Sequence, residues 1–237
     1  EGPSIVKRLV DSGARVFLDL KFHDIPNQIA QTVDAAVHTG AWMINVHASG
    51  GVAMMRAAVQ SAAEAADVLG RDAPLVIAVT VLTSMDASTL RDLGISRSLL
   101  DHVLSLAQLT QEAGLDGVVA SPQETTAIRQ MCGPDFVIVT PGIRGAAAGS
   151  DKHDQARTMG PRDAVRAGAS YIVVGRPIVA AADPRHAAEK IVEDLGSVEK
   201  MKEDIVQAGV GQFGSGWAWL AVKDGRSTIM KTPNGEN

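Results

Sequence analysis

Two carboxylates and one ammonium group fall within six residues of one another, at Asp19, Lys21 and Asp24. Asp19 belongs to an apolar stretch that reads as a strand, and side chains two apart on a strand share a face. Asp19 and Lys21 should therefore point the same way, with Asp24 in the loop that follows. Charges at the end of an apolar strand are costly to desolvate unless they neutralise one another or serve a ligand. We expect a buried lysine held between two carboxylates, which stays protonated and can deliver a proton to carbon.

The elements that must position this group alternate between strands and helices. Most of the predicted strands are continuous apolar runs, as expected for parallel strands buried on both faces. Alternation without hairpins predicts right-handed crossovers and an α/β architecture. The predicted strands are Val16–Leu20, Trp42–Ala48, Leu75–Leu82, Gly117–Ser121, Phe136–Thr140 and Tyr171–Gly175. A first helix is predicted at the N-terminus and ends by Gly13. The helices predicted after it are Gln28–His38, Ala53–Leu69, Ser98–Glu112, Pro122–Met131, Pro161–Arg166 and Pro184–Leu195.

Composition excludes several classes of protein. No apolar run approaches the roughly 20 residues of a membrane helix, and no basic-then-apolar signal segment precedes the first helix. The single cysteine, Cys132, excludes an internal disulfide and a thiolate metal cluster. A formal net charge of −5 argues weakly against nucleic-acid binding. We expect a cytoplasmic location with neither a membrane nor a nucleic acid as partner.

The string from Phe17 to Asn27, Phe-Leu-Asp-Leu-Lys-Phe-His-Asp-Ile-Pro-Asn, closely resembles the active-site segment of bacterial orotidine 5′-phosphate decarboxylases. The resemblance covers about residues 1–195. It implies conversion of orotidine 5′-phosphate to uridine 5′-phosphate and CO2 in de novo pyrimidine synthesis. It also implies a TIM (β/α)8-type barrel and chemistry without metal or other cofactor. In that family the segment lies on the third strand, so we expect an incomplete barrel of about six β/α units that lacks two N-terminal units.

The resemblance assigns roles to the charged residues. Lys21 would stabilise the negative charge left on a ring carbon of the pyrimidine and then protonate that carbon. Asp19 would hold Lys21 in place and crowd the departing carboxylate. Members of the family are homodimers in which the aspartate matching Asp24 enters the partner's active site. One departure is Gln28, where the family usually has threonine, and its longer side chain leaves the role of this position open.

A phosphate-binding site is the second requirement for binding a nucleotide. Barrels commonly form this site from the loops after their last strands. Gly175 lets a backbone N–H approach closely, and Arg176 offers a planar fork matched to phosphate. Arg144 opens a Gly/Ala-rich loop of the kind that could close over a ligand. By resemblance, Gln155 would reach both base and phosphate. Thr83 would contact the region of the base.

The tail after Leu195 has a different character. Arginine outnumbers lysine before this point, and lysine outnumbers arginine after it. A helix over Ser197–Gln207 is predicted, then strands over Trp217–Val222 and Ser227–Thr232 joined by an Asp-Gly turn, with Pro233 ending the second strand. An antiparallel hairpin does not continue a β/α barrel. We therefore expect two domains, residues 1–195 and residues 196–237.

The tail resembles the start of the second domain of iron/manganese superoxide dismutases. The resemblance rests on Phe213-Gly-Ser-Gly-Trp-Ala-Trp-Leu220, preceded by Gly196-Ser-Val and followed by Lys231-Thr-Pro-Asn234. That family binds its metal through three histidines and an aspartate. No histidine follows His186 in this chain, so dismutase activity is not expected.

Two alternatives to an active decarboxylase stay open. One is a magnesium-dependent sugar-phosphate aldolase or decarboxylase of the same superfamily, which shares the Asp-x-Lys-x-x-Asp pattern. A requirement for magnesium would distinguish it. The other is a catalytically inactive, truncated fusion chain, because an open six-strand wall exposes two strand edges and the apolar lining of the barrel.

Overall fold

The computed structural model describes residues 2–143, 159–195, 216–223 and 226–233. The chain forms two compact units, Glu1–Pro177 and Ile178–Asn237. The strands of the first unit are β1 (Phe17–Phe22), β2 (Met43–His47), β3 (Leu75–Val79), β4 (Gly117–Val119), β5 (Val137–Thr140) and β6 (Tyr171–Ile172). They pair in chain order, and every pair is parallel. The prediction of an incomplete TIM-type α/β fold with about six strands is confirmed.

Seven of the described helices were predicted, with small shifts at their ends, and the short ones over Ala87–Asp92 and Arg176–Val179 were not. They are α1 (Pro3–Asp11), α2 (Pro26–His38), α3 (Gly51–Val68), α4 (Ala87–Asp92), α5 (Leu99–Glu112), α6 (Thr125–Cys132), α7 (Pro161–Arg166), α8 (Arg176–Val179) and α9 (Pro184–Leu195). Helix α2 begins at Pro26 rather than Gln28, because proline is well suited to the first turn, where its missing N–H is not needed. Across the described ranges, no helix has the length and apolar character needed to cross a membrane.

Helix α4 was not predicted, although its first residues carry a helix-start signal. The carboxylate of Asp86 accepts hydrogen bonds from the backbone N–H of Thr89 and the hydroxyls of Ser88 and Thr89. These bonds hold the pKa of Asp86 well below its usual range. Asp86 therefore serves as the N-cap that begins this helix.

Four of the strands end earlier than predicted. The last ladder bond between β5 and β6 runs from the Val173 N–H to the Thr140 carbonyl. Strand β6 ends at Ile172 instead of Gly175, and β3 ends at Val79 instead of Leu82. Strand β4 ends at Val119 instead of Ser121, and β2 ends at His47 instead of Ala48.

The second unit contains an antiparallel pair, β7 (Gly216–Lys223) and β8 (Arg226–Pro233). The predicted hairpin is confirmed, and Pro233 ends its second strand. Residues 224–225 of its turn and the helix predicted over Ser197–Gln207 lie outside the described residues.

The parallel sheet is buried on both faces. Side chains such as Ile44, Val46 and Ala78 pack with the helices in the larger hydrophobic core. On the opposite face, Met43, Ile77 and Val139 form a smaller apolar cluster. This second cluster gives the inner side of the sheet an apolar lining.

The sheet is strongly curled. The ring of Trp42, immediately before β2, meets the ring of Tyr171 in β6 edge-on, with 5.2 Å between their centroids. In a flat sheet, strands four positions apart are separated by about 19 Å. The contact therefore requires a half-barrel, which turns the inner side chains of the outer strands toward one another.

The side chain of Arg129 joins the elements at the beginnings of β5 and β6. Its guanidinium donates hydrogen bonds to the carbonyls of Gly133, Pro134 and Phe136 before β5. It also donates to the Gly168 carbonyl and, at 3.0 Å, to the Ser170 hydroxyl before β6. One planar donor set thus satisfies acceptors from two separate connections.

We predict that Arg129→Ala lowers the free energy of unfolding by about 2–4 kcal/mol, because several carbonyls lose a charged donor. Arg129→Lys should recover only part of this loss, since an ammonium cannot span the same acceptors. Denaturant unfolding followed by circular dichroism measures the change. Replacing the exposed Arg91 of α4 with alanine is the control and should cost less than about 0.5 kcal/mol. Equal effects of the two alanine substitutions would contradict the bridging role of Arg129.

Candidate active site

The ends of the strands open on a cavity of about 240 Å³ inside the half-barrel. Its walls come from β1 on one side and from the segment after β6 on the other. The lining residues are Phe17, Asp19, Lys21, Val79, Val81, Leu82, Thr83, Val119, Ala120, Pro141 and Val173. The cavity thus brings together three of the predicted site residues: Asp19, Lys21 and Thr83.

Lys21 and Asp19 form an ion pair at this cavity. The distance from Lys21 Nζ to Asp19 Oδ1 is 2.7 Å. The side chains point the same way, as predicted from their spacing on β1. They are, however, 39% and 46% exposed, so the expectation of a buried ammonium was wrong. The pair stands at the rim of the cavity, where a ligand could cover it.

The backbone of Lys21 is unusual. Its φ is +53°, in the left-handed region that residues with a Cβ seldom adopt. The deviation coincides with an irregularity in the pairing of β1 with β2 between Leu18 and Phe22. Strain of this kind costs on the order of 1–3 kcal/mol and tends to occur at functional positions.

Asn45 is a site residue to which the sequence interpretation gave no role. Its side chain is fully buried in β2, where its Oδ1 accepts the Lys21 N–H at 2.8 Å. Its Nδ2 donates to Asp19 Oδ1 at 2.6 Å. The signal that could have revealed it is a lone polar residue within the apolar run Met43–Val46.

Two histidine rings lie near the pair. The rings of His23 and His47 have their centroids 5.3 Å apart. Burial lowers the pKa of His47, the charges of His23 and Lys21 lower it further, and Asp19 opposes them. The sequence assigned no catalytic role to His47, and that stays a prediction. Among the described residues, no group of three or more histidine, cysteine or acidic side chains is placed to hold a metal ion.

Asp24 lies apart from the ion pair within the chain. Its carboxylate is exposed and accepts the N–H of Ile25 at 2.7 Å, and Asp24 does not line the cavity. The expectation of a lysine between two carboxylates is therefore not met within one copy of the described chain. Gln28 is also exposed, in the first turn of α2.

The predicted phosphate-binding residues lie partly within the described chain. Gly175 and Arg176 are exposed and follow β6, so they stand at the same edge of the sheet as Asp19 and Lys21. A Cβ at Gly175 would meet open space. Arg144 and Gln155 lie outside the described residues. Ile143 and Met159, which flank residues 144–158, form a parallel bridge.

Comparison with known proteins yields two family matches. Residues 1–191 match the model of the orotidine 5′-phosphate decarboxylase / HUMPS family. Residues 183–237 match the C-terminal domain of iron/manganese superoxide dismutases. The two matches overlap within α9, shortly before the domain boundary predicted after Leu195.

Individual relatives agree with the first match. The orotidine 5′-phosphate decarboxylase of Moorella thermoacetica is 54% identical over 199 residues, which are 84% of this chain and 78% of that protein. That of Nitrosococcus oceani is 50% identical over 197 residues, 83% of this chain and 82% of the relative.

Solved structures also share this fold. The crystal structure of orotidine 5′-phosphate decarboxylase from Lactobacillus acidophilus superposes with a TM-score of 0.73 at 37% identity. The match covers 83% of this chain and 82% of that one. Both the sequence and the fold place this protein in one family: the chain belongs to the orotidine 5′-phosphate decarboxylase / HUMPS family.

Proposed function

We propose that this chain is an orotidine 5′-phosphate decarboxylase, a carbon–carbon lyase that releases CO2 and forms uridine 5′-phosphate in pyrimidine synthesis. The observation that carries the proposal is the 2.7 Å ion pair of Lys21 and Asp19 on a cavity at the ends of the strands. Relatives that are 50% and 54% identical to this chain are named for this activity. A cytoplasmic location belongs to the same proposal and can be tested by cell fractionation.

The reaction follows from the placement of charge. When the bond between the pyrimidine ring and its carboxylate breaks, CO2 leaves and the bonding electron pair stays on the ring carbon. The ammonium of Lys21 lies close to this developing charge, stabilises it and transfers a proton to the carbon. Asp19 holds the ammonium in position and crowds the departing carboxylate. The chemistry needs no metal, and Lys21 regains its proton from solvent.

The remaining predicted residues would bind the nucleotide. Gly175 and Arg176 follow β6 across the cavity from β1, where a backbone N–H and a guanidinium fork suit the 5′-phosphate. Arg144 directly follows the described Ile143 and is proposed as a second phosphate ligand. Gln155 would reach both phosphate and base. Thr83 lines the cavity and would meet the base.

We predict that Lys21→Ala lowers the turnover of orotidine 5′-phosphate by at least about 10³-fold, because both charge stabilisation and proton transfer are lost. The decrease in absorbance as substrate becomes uridine 5′-phosphate measures the rate. Lys7→Ala, which alters an exposed lysine of α1, is the control and should leave the rate unchanged.

Two outcomes would favour the alternatives. Turnover that ceases in EDTA and returns with Mg²⁺, with a sugar phosphate as the preferred substrate, would indicate a magnesium-dependent aldolase or decarboxylase. A chain that unfolds cooperatively and binds uridine 5′-phosphate, yet shows no turnover, would indicate an inactive fusion chain.

We predict that Arg176→Ala weakens the binding of uridine 5′-phosphate by about 10- to 100-fold, because a charge-assisted hydrogen bond to phosphate is lost. The binding of uridine, which has no phosphate, should stay the same. Isothermal titration calorimetry with both ligands separates the two effects, and Arg91→Ala is the matched control. An equal loss for both ligands would refute a specific contact with the phosphate.

We also propose a homodimer in which Asp24 serves the partner's site. The support is that the Asp24 carboxylate is exposed and outside the cavity of its own chain. A residue that completes a neighbour's site must lie on the surface in this way.

We predict that Asp24→Ala and Lys21→Ala variants, each inactive, recover about a quarter of the unvaried activity when mixed after subunit exchange. In a mixed dimer, one active site contains both substitutions and the other contains neither. Sedimentation velocity gives the oligomeric state of each sample. If the mixture is as inactive as its components although dimers form, Asp24 acts within its own chain.

A further inference from the structure

The pairing of β1 with β2 contains a bulge at the ion pair. Phe17 pairs with Met43 and Leu18 with Ile44, but the next pair is Phe22 with Val46. Asp19, Leu20 and Lys21 therefore stand opposite Asn45 alone. Bulges interrupt the ladder of backbone hydrogen bonds and re-aim side chains, and they recur beside active sites.

The side chain of Asn45 replaces the missing ladder bond. The Lys21 N–H can only donate, so the amide must turn its Oδ1 toward it, at 2.8 Å. Its Nδ2 then faces Asp19 Oδ1 at 2.6 Å, and the same oxygen receives Lys21 Nζ at 2.7 Å. One side chain thus contacts the backbone of the lysine and the carboxylate of its partner.

We propose that Asn45 is a positioning residue for the decarboxylation, one that sets the orientation of Asp19 and the backbone of Lys21. The inference rests on the proposed function and adds a residue that touches neither substrate nor product in it. The fully buried amide of Asn45 is hydrogen-bonded to both residues of the Lys21–Asp19 ion pair, so its role is not limited to packing. It acts through Lys21 and Asp19, from the strand behind them.

The choice of side chain supports this role. An aliphatic residue would leave the Lys21 N–H without its acceptor and would remove one of the two donors to Asp19 Oδ1. Glutamine is one methylene longer and would overfill a position with no exposed surface. A short amide offers an acceptor and a donor at this reach and carries no charge at any pH. The bond to the Lys21 N–H also holds that residue in its left-handed conformation, which is otherwise unfavourable.

Asn45→Asp is the informative variant because it has the same shape. When protonated, the introduced carboxyl can donate to Asp19 and accept from the Lys21 N–H, as the amide does. When ionised, it places a second negative charge beside Asp19. The charged and titratable groups around it are Lys21, Asp19, His23 and His47.

We expect kcat of Asn45→Asp, relative to the unvaried chain, to fall at least about tenfold between pH 5 and pH 8 as the shared proton is lost. KM should change less than twofold, because the residues proposed to bind the phosphate are unchanged. Ser61→Ala removes another buried side-chain hydrogen bond, to the Ala30 carbonyl, and controls for general destabilisation. A pH-independent loss that matches this control would reduce Asn45 to a structural residue.

A second measurement does not depend on activity. Amide hydrogen exchange of the Lys21 N–H should accelerate at least about tenfold in Asn45→Ala, while that of Ile44 and Val46 stays the same. This result in an inactive chain would uphold the positioning role and reject the proposed function. An active chain in which Asn45→Ala changes neither exchange nor kcat would reject the positioning role alone.

Discussion

The bond between the Asn45 side chain and the bulge of β1 is the constraint on which the reactive part of the structure depends. In a regular parallel ladder, the backbones of Asp19 and Lys21 would pair with β2. No side chain of β2 would then be needed to position the two residues. The bulge removes that pairing, and a buried amide supplies a substitute that also bonds to Asp19. The position of the ammonium is therefore set by β2 as much as by the strand that carries it.

In the half-barrel, the residues that stabilise the fold are separate from the residues of the proposed active site. On the inner face of the sheet, Met43, Ile77 and Val139 form an apolar cluster, and Arg129 joins the connections that precede β5 and β6. At the strand ends lie the ion pair and its cavity. Curling of the sheet matters for this site, because it brings Val173 after β6 onto the same cavity as Lys21. A flat sheet would have left these groups on distant strands.

The chain matches the models of two families. The decarboxylase match ends at residue 191, within α9, and the dismutase match begins at residue 183, just before α9. The hairpin β7–β8 has the antiparallel form predicted for the tail, and its sequence contains none of the histidines that the dismutase family uses as ligands. The proposed chemistry therefore belongs to the first unit.

The sequence by itself determined the features that depend on local periodicity. The order of strands and helices, the hairpin and the shared direction of Asp19 and Lys21 could all be predicted, because side-chain direction on a strand repeats every two residues.

Only the tertiary structure decided the features that depend on register between distant segments. Asn45 lies 24 residues from Lys21 in sequence, and its role follows from a bulge in β1 that no local pattern specifies. The exposure of the ion pair, the outward position of Asp24 and the curl that joins Trp42 to Tyr171 belong to the same class. The physical reason is that each depends on which residues pack opposite one another, which the fold as a whole determines.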